Sequence, residues 1–320
     1  MLFKDVKGDF NRSFISGIFL TTLFLLAHVF IPFLGIFISL ITPLPILFYY
    51  QKLGRLPGIF ISFAASIVAI SLLRLFETQL GVFFIVEFGI IGLTLSEMLR
   101  KNLSIEKTVL YSVFIILGTG TVLFYLYSAI NFVSPWTFIV QQINEKVSQT
   151  VNLSNELGMS AEQLELLEAS SQNLANFLVR SFPSFAVVGM VFIIWINLMM
   201  AKMVYNILKL EFPDFGDLSR WKAPDVLVWG IIVSGLLLLS RVLILKSIGL
   251  NILIVFLCVF FFQGMAIVSY FFHKKSVPVI LRGLGYMLIV FQQIFLFIVI
   301  GLGLFDVWAD FRRLKKQKLS

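Results

Sequence analysis

The sequence predicts an all-α, polytopic membrane bundle of eight to nine transmembrane helices with one extramembrane amphipathic helix. Nine apolar stretches fill most of the 320 residues. Hydrophobic residues make up 59% of the chain and charged residues only 13%, too few to clothe a folded protein in water. Mean hydropathy is +0.98. A helix rises about 1.5 Å per residue, so roughly 20 apolar residues cross a hydrocarbon core of about 30 Å.

Residues 13–31, 33–50, 56–73, 80–98 and 108–132 form a predicted five-span N-terminal bundle, within 1–133. The first stretch is expected to remain in the mature protein. It is long and is followed by Pro32 rather than a small-residue cleavage site. A polar region follows over 134–180. Residues 181–320 then hold four more spans, 182–201, 226–240, 248–272 and 284–305, and a basic tail.

Charge orients the bundle. Lys4, Lys7, Arg12, Lys52, Arg55, Arg100, Lys101 and Lys107 fall on one side of the first five spans, and only Arg74 on the other. The positive-inside rule then places the N-terminus in the cytoplasm. The net charge of +8 lies beside helix ends, which points to membrane lipid rather than nucleic acid as the partner. The polar region, rich in Glu145, Glu156, Glu162, Glu165 and Glu168, is expected outside.

Within that region Ser160-Ala-Glu-Gln163 is a capping box, and Leu164, Leu167, Leu174, Phe177 and Leu178 recur at helical spacing. Two readings fit: a lid over an outward cavity, or an amphipathic helix on the membrane surface. Residues 210–223 form a cytoplasmic loop broken by Pro213 and Gly216, with Trp221 and Lys222 suited to the interface. The tail residues Arg312, Arg313, Lys315, Lys316 and Lys318 favour the cytoplasm, which nine crossings would not allow. The stretch 33–50, with Pro43 and Pro45, and the short 226–240 are the candidates for an incomplete crossing.

A charge inside a bilayer costs about 2.5–3.5 kcal/mol on insertion scales, so intramembrane ionisable groups are functional candidates. Glu87 lies seven residues into the fourth span, roughly 10 Å below its outer end. Arg74 and Glu77 occupy the preceding outer turn, and His28 lies near the outer end of the first span. Together they outline a candidate pocket for a small solute. The alternative is an interfacial Arg74 and Glu77 with Glu87 in a structural pair. Asn197, Asn206, Gln263, Gln292 and Gln293 suit interhelical hydrogen bonds. Asp306 and Asp310 are expected to pair with Arg312 or Arg313 at helical spacing. Gly118/Gly120, Gly283/Gly285 and Gly301/Gly303 read as close-packing sites.

No catalytic constellation is apparent, and the chain is expected not to be an enzyme. It has no P-loop and no H-E-x-x-H pair. With one cysteine, Cys258, and two distant histidines, neither a disulfide, a metal site nor any other cofactor is expected.

The closing Gly303-Leu-Phe-Asp306-Val-Trp-Ala-Asp310-Phe-Arg312, with Thr42-Pro-Leu-Pro45 and Gly54-Arg55-Leu-Pro57-Gly58, resembles the YybS-type family of bacterial membrane proteins, which carry a domain of unknown function. The proline-bearing second span followed by Gly-Arg-x-Pro-Gly is also similar to substrate-binding subunits of energy-coupling-factor vitamin transporters. That resemblance implies an outward pocket near Glu87 and a membrane coupling protein with ATPase subunits as partner. The chain departs from that pattern in its extra spans and in Gly17-Ile-Phe-Leu-Thr21, where alanines four apart would dock the coupling protein. Two functions follow as expectations: a transport-related subunit binding a small solute from outside, or a non-transporting scaffold or regulator working through residues 210–222 and the tail.

Overall fold

The computed structural model describes residues 2–30, 32–74, 79–156 and 160–313. Among the described residues twelve α-helices follow one another, α1 (Leu2–Phe30), α2 (Pro32–Ile41), α3 (Leu44–Leu53), α4 (Arg55–Arg74), α5 (Gln79–Arg100) and α6 (Ile105–Ile130), then α7 (Pro135–Glu156), α8 (Ala161–Ile207), α9 (Leu227–Leu238), α10 (Leu243–Lys274), α11 (Val279–Phe291) and α12 (Gln293–Ala309). One 3₁₀ turn, Leu218–Arg220, precedes α9. The described residues contain no strand. In hydrocarbon each backbone group must find its partner within the protein, and a helix does this locally.

Among the described residues, six helices are long and apolar enough to cross a membrane, or seven if the bent pair α11–α12 is one span. Their outward faces carry large apolar side chains. Phe19 and Phe114, both 69% exposed, are typical of a surface whose solvent is lipid.

Prolines set the breaks. The stretch 33–50 is two helices, α2 and α3, parted at Thr42–Pro43, with Pro45 in the first turn of α3. Pro cannot donate in a helix interior but is tolerated in a first turn. The Thr42 hydroxyl donates to Ile38 O at 3.0 Å and lies 3.4 Å from Phe24 O, which satisfies it at the break.

Two sequence expectations are corrected. The stretch 284–305 is not one helix: α11 and α12 meet at a 100° bend. Gln292 there takes φ −104°, ψ 111°, an extended conformation that cannot continue a helix. The amphipathic segment after Ser160 is likewise not separate from the next span. Both lie in α8, 47 residues long, which runs through Pro183.

The chain divides into two compact units, Met1–Phe132 with Gly189–Phe215, and Val133–Val188 with Gly216–Ser320. In the first, buried Ile46, Ile61, Leu73, Ile85, Leu95 and Ile116 form the packing centre. Asn197 of α8 donates to Leu40 O at 2.7 Å, and the Tyr205 hydroxyl donates to Leu47 O at 2.6 Å. In the second unit α10 is the central mast, with α9 and α12 against it. Asn251 of α10 accepts from Ser184 N–H at 2.8 Å and donates to Arg180 O at 2.8 Å. Such hydrogen bonds, with close backbone approach at small residues, hold helices together where lipid removes the hydrophobic drive between them.

Candidate functional site

Glu87 sits near the middle of α5, about 12 Å from its first residue by helical rise. It is half-buried against α6, and its Oε2 is buried with no hydrogen-bond partner. Opposite stands Gly120, where a Cβ would lie 2.9 Å from Oε1 and 3.0 Å from Oε2. Gly120 is therefore the space the carboxyl group occupies. Within one turn of both residues, a shallow groove of about 310 Å³ is lined by Ile90, Gly118, Thr119, Val122 and Leu123.

The four residues that outlined a pocket in the sequence fare differently. Arg74, at the last turn of α4, is exposed. Glu77 and the His28 side chain lie outside the described residues. Only Glu87 has a buried setting that can be described.

A second polar assembly was legible only in part. Asp306 and Arg312 form an ion pair at 2.9 Å with both side chains fully buried. Asp306 Oδ2 also accepts from Gln263 Nε2 at 3.1 Å, and Oδ1 accepts from the Phe311 N–H at 2.9 Å. Arg312 Nη1 donates to Ser219 O at 2.8 Å and Trp221 O at 2.9 Å. Gln263 Oε1 accepts from the Ala223 N–H at 3.2 Å. The predicted pairing of Asp306 with Arg312 is present, but not at helical spacing. α12 ends at Ala309, and Asp310 takes φ 42°, ψ 56°, so the chain reverses and returns Arg312 to Asp306.

The Gly-Arg-x-Pro-Gly element is a corner with a polar clasp. Gly54 takes φ 94° between α3 and α4, a left-handed value that favours glycine. Arg55 Nε pairs with Glu97 of α5 at 2.7 Å, and the Tyr50 hydroxyl donates to the same carboxylate. At Gly58 a Cβ would come 2.6 Å from Tyr50 Cα.

Of the three glycine pairs, one member of each is tightly packed: Gly120, Gly285 against the Phe272 ring, and Gly303. At Gly118, Gly283 and Gly301 an added methyl would meet nothing within 4 Å. Among the described residues, no group of three or more His, Cys, Asp or Glu is placed to hold a metal. An open concavity of about 530 Å³ is lined by α7 residues, including Gln141, Asn144 and Glu145, and joins none of these residues.

The elements that carried the family resemblance thus all have structural roles: a proline break, a glycine corner and a buried clamp. A family model described as predicted membrane protein (DUF2232) matches residues 19–307. The chain belongs to this family. The DUF2232 match takes in the Thr42–Pro45 and Gly54–Gly58 elements and Asp306, and stops short of Arg312. Comparison with curated proteins and with solved structures gave no match. The DUF2232 assignment agrees with the unknown-function membrane family suggested by the motifs, and makes this a multi-pass membrane protein.

Proposed function

We propose that this DUF2232 protein is a transport-related subunit of the bacterial inner membrane that binds a small solute from the extracytoplasmic side through Glu87. The single observation that supports this reading is the setting of Glu87. A carboxyl group stands near the middle of an apolar helix, half-buried, with one oxygen sealed from solvent and no hydrogen-bond partner, in space kept clear by Gly120. An ionisable group at such depth is costly and is retained where it serves a solute, ion or proton. The N-terminus lies in the cytoplasm in this reading, and energy comes from partner ATPases through a membrane coupling protein.

The test is ligand-induced stabilisation of the purified full chain. Water-soluble vitamins and small inorganic and organic cations are screened for a rise in melting temperature, against Glu87→Gln. A ligand at a hundred times its Kd stabilises by about 2.7 kcal/mol. The reading expects at least one compound that stabilises the parent chain and not the variant. Compounds that stabilise both equally sink the role of Glu87.

A scaffold or regulatory role is the second reading, and the buried clamp favours it. Arg312 fixes the backbone at Ser219 and Trp221, which presents Arg220 and Asp225 at the surface in a set conformation. Crosslinking that finds no partner for residues 216–225 removes it.

A further inference from the structure

Between Asp225 and Asp306 the sequence holds no Asp or Glu, yet it carries Arg241, Lys246, His273, Lys274, Lys275 and Arg282. These bases gather at the two ends of α10. From Lys246 to Lys274 is about 42 Å by helical rise, close to a bilayer with its headgroups at about 40–45 Å. The residues between them include no charged side chain. A charge is costly in hydrocarbon, so both basic ends belong at headgroup level.

The two ends are built differently. At the first, Arg241 and Lys246 flank the start of α10. At the last, α11 packs across the final turn. A Cβ on Gly285 would lie 2.8 Å from the Phe272 ring, and the Phe272 and Tyr286 rings meet edge to face at 5.5 Å. The chain turns between the helices at Ser276, with φ 49°. Arg282 Nε donates to Val277 O at 2.6 Å, which ties this side chain to the same turn as Lys275. The Lys274 ammonium lies 5.8 Å from the Tyr270 ring centre.

Lys274 and Lys275 are exposed and Arg282 is half-buried, and among the described residues none of the three has a carboxylate partner. Asp217 comes within electrostatic reach of His273, but it is already paired with Arg220 at 3.4 Å and accepts from the Ser219 N–H. The negative end of the α10 dipole suits Lys274 and Lys275. It does not account for Arg282, which stands in the first turn of α11, where a helix dipole disfavours a base. Three cations thus meet at one turn with no anion of their own. Beside them α11 exposes Val279, Ile280 and Leu284, all apolar.

We propose that the corner between α10 and α11 binds an anionic phospholipid, with Lys274, Lys275 and Arg282 around its phosphate and its acyl chains against the apolar face of α11. Charge-assisted hydrogen bonds to phosphate oxygens supply the recognition, and the apolar face supplies contact that a soluble anion lacks.

The full chain in dodecyl maltoside, titrated with dioleoyl phosphatidylglycerol or dioleoyl phosphatidylcholine, tests the site by native mass spectrometry and melting temperature. The parent chain is expected to retain several-fold more phosphatidylglycerol. That preference should shrink at about 1 M salt, where charges are screened beyond about 3 Å. Lys274→Gln with Lys275→Gln should weaken phosphatidylglycerol binding roughly thirty-fold, about five-fold for each lysine at the surface, and leave phosphatidylcholine unchanged. Arg241→Gln with Lys246→Gln, at the other end of α10, should weaken it several-fold less. Equal retention of the two lipids by the parent chain overturns the proposal, and needs no variant to fold. So does equal loss from the two pairs of substitutions, since any basic helix end would then serve. Inorganic phosphate that stabilises the chain as well as the lipid does would overturn the lipid assignment.

Discussion

Arg312 closes on Asp306 at 2.9 Å from six residues further along the chain, and the turn between them is made by a left-handed Asp310 rather than a glycine. The pair is completely buried, and Arg312 Nε has no acceptor of its own. Two opposite charges taken out of water are costly unless each remains matched.

Breaking that match by one substitution is expected to destabilise the second unit by about 3–5 kcal/mol. Asp306→Asn and Arg312→Met are the single variants, and Asp306→Leu with Arg312→Met is the double. The double variant should recover most of the loss, because it leaves no unpaired charge. Thermal unfolding in detergent followed by size-exclusion would show it. A double variant as unstable as the sum of the singles contradicts the buried-pair account.

Gly303→Ala is expected to separate α10 from α12, since its methyl would lie 2.0 Å from Phe260 O, a backbone atom. Overpacking of this kind costs about 1–3 kcal/mol or more. Gly301→Ala, two residues earlier with open space around it, should change nothing. Equal melting temperatures for the two variants would contradict the packing described.

Gly120→Ala is expected to disturb Glu87 without touching its charge. The added methyl would sit 2.9 Å from Oε1, so the carboxyl group must move. Whatever solute binding or uptake the parent chain shows should fall on Gly120→Ala and Glu87→Gln alike, while Gly118→Ala keeps it. Full activity in Gly120→Ala would separate Glu87 from the function.

Tyr205→Phe removes a 2.6 Å hydrogen bond to Leu47 O but keeps the packed ring. Hydrogen bonds between membrane helices are worth about 0.6 kcal/mol on average. The expected loss is therefore of that order, a small shift in melting temperature, whereas Tyr205→Ala should cost several-fold more by leaving a cavity.

The sequence was most readable where chemistry acts locally. Long apolar runs gave the membrane class and the six long apolar helices, because composition alone fixes their solvent, but not the number of crossings. Pro43 and Pro45 announced the break in the second stretch because proline removes a donor wherever it stands. The clamp was half readable: Asp306 and Arg312 could be paired, but their geometry depends on a left-handed residue that aspartate adopts only occasionally. Gln263 gave no sign of joining α10 to both the 219–223 backbone and the last helix, since such a contact spans 40 residues or more. The bend at Gln292 was hidden for a similar reason, because no proline or glycine marks it. At Glu87 the sequence supplied the charge and its depth, while the matching void at Gly120 came only from the packing of α5 on α6.

Where Gly264 and Gly303 bring two main chains into direct touch, no layer of pliant side chains is left between them to yield. α10 and the C-terminal half of α12 therefore travel as a single rigid spar. Sliding along that seam is closed to this pair of helices.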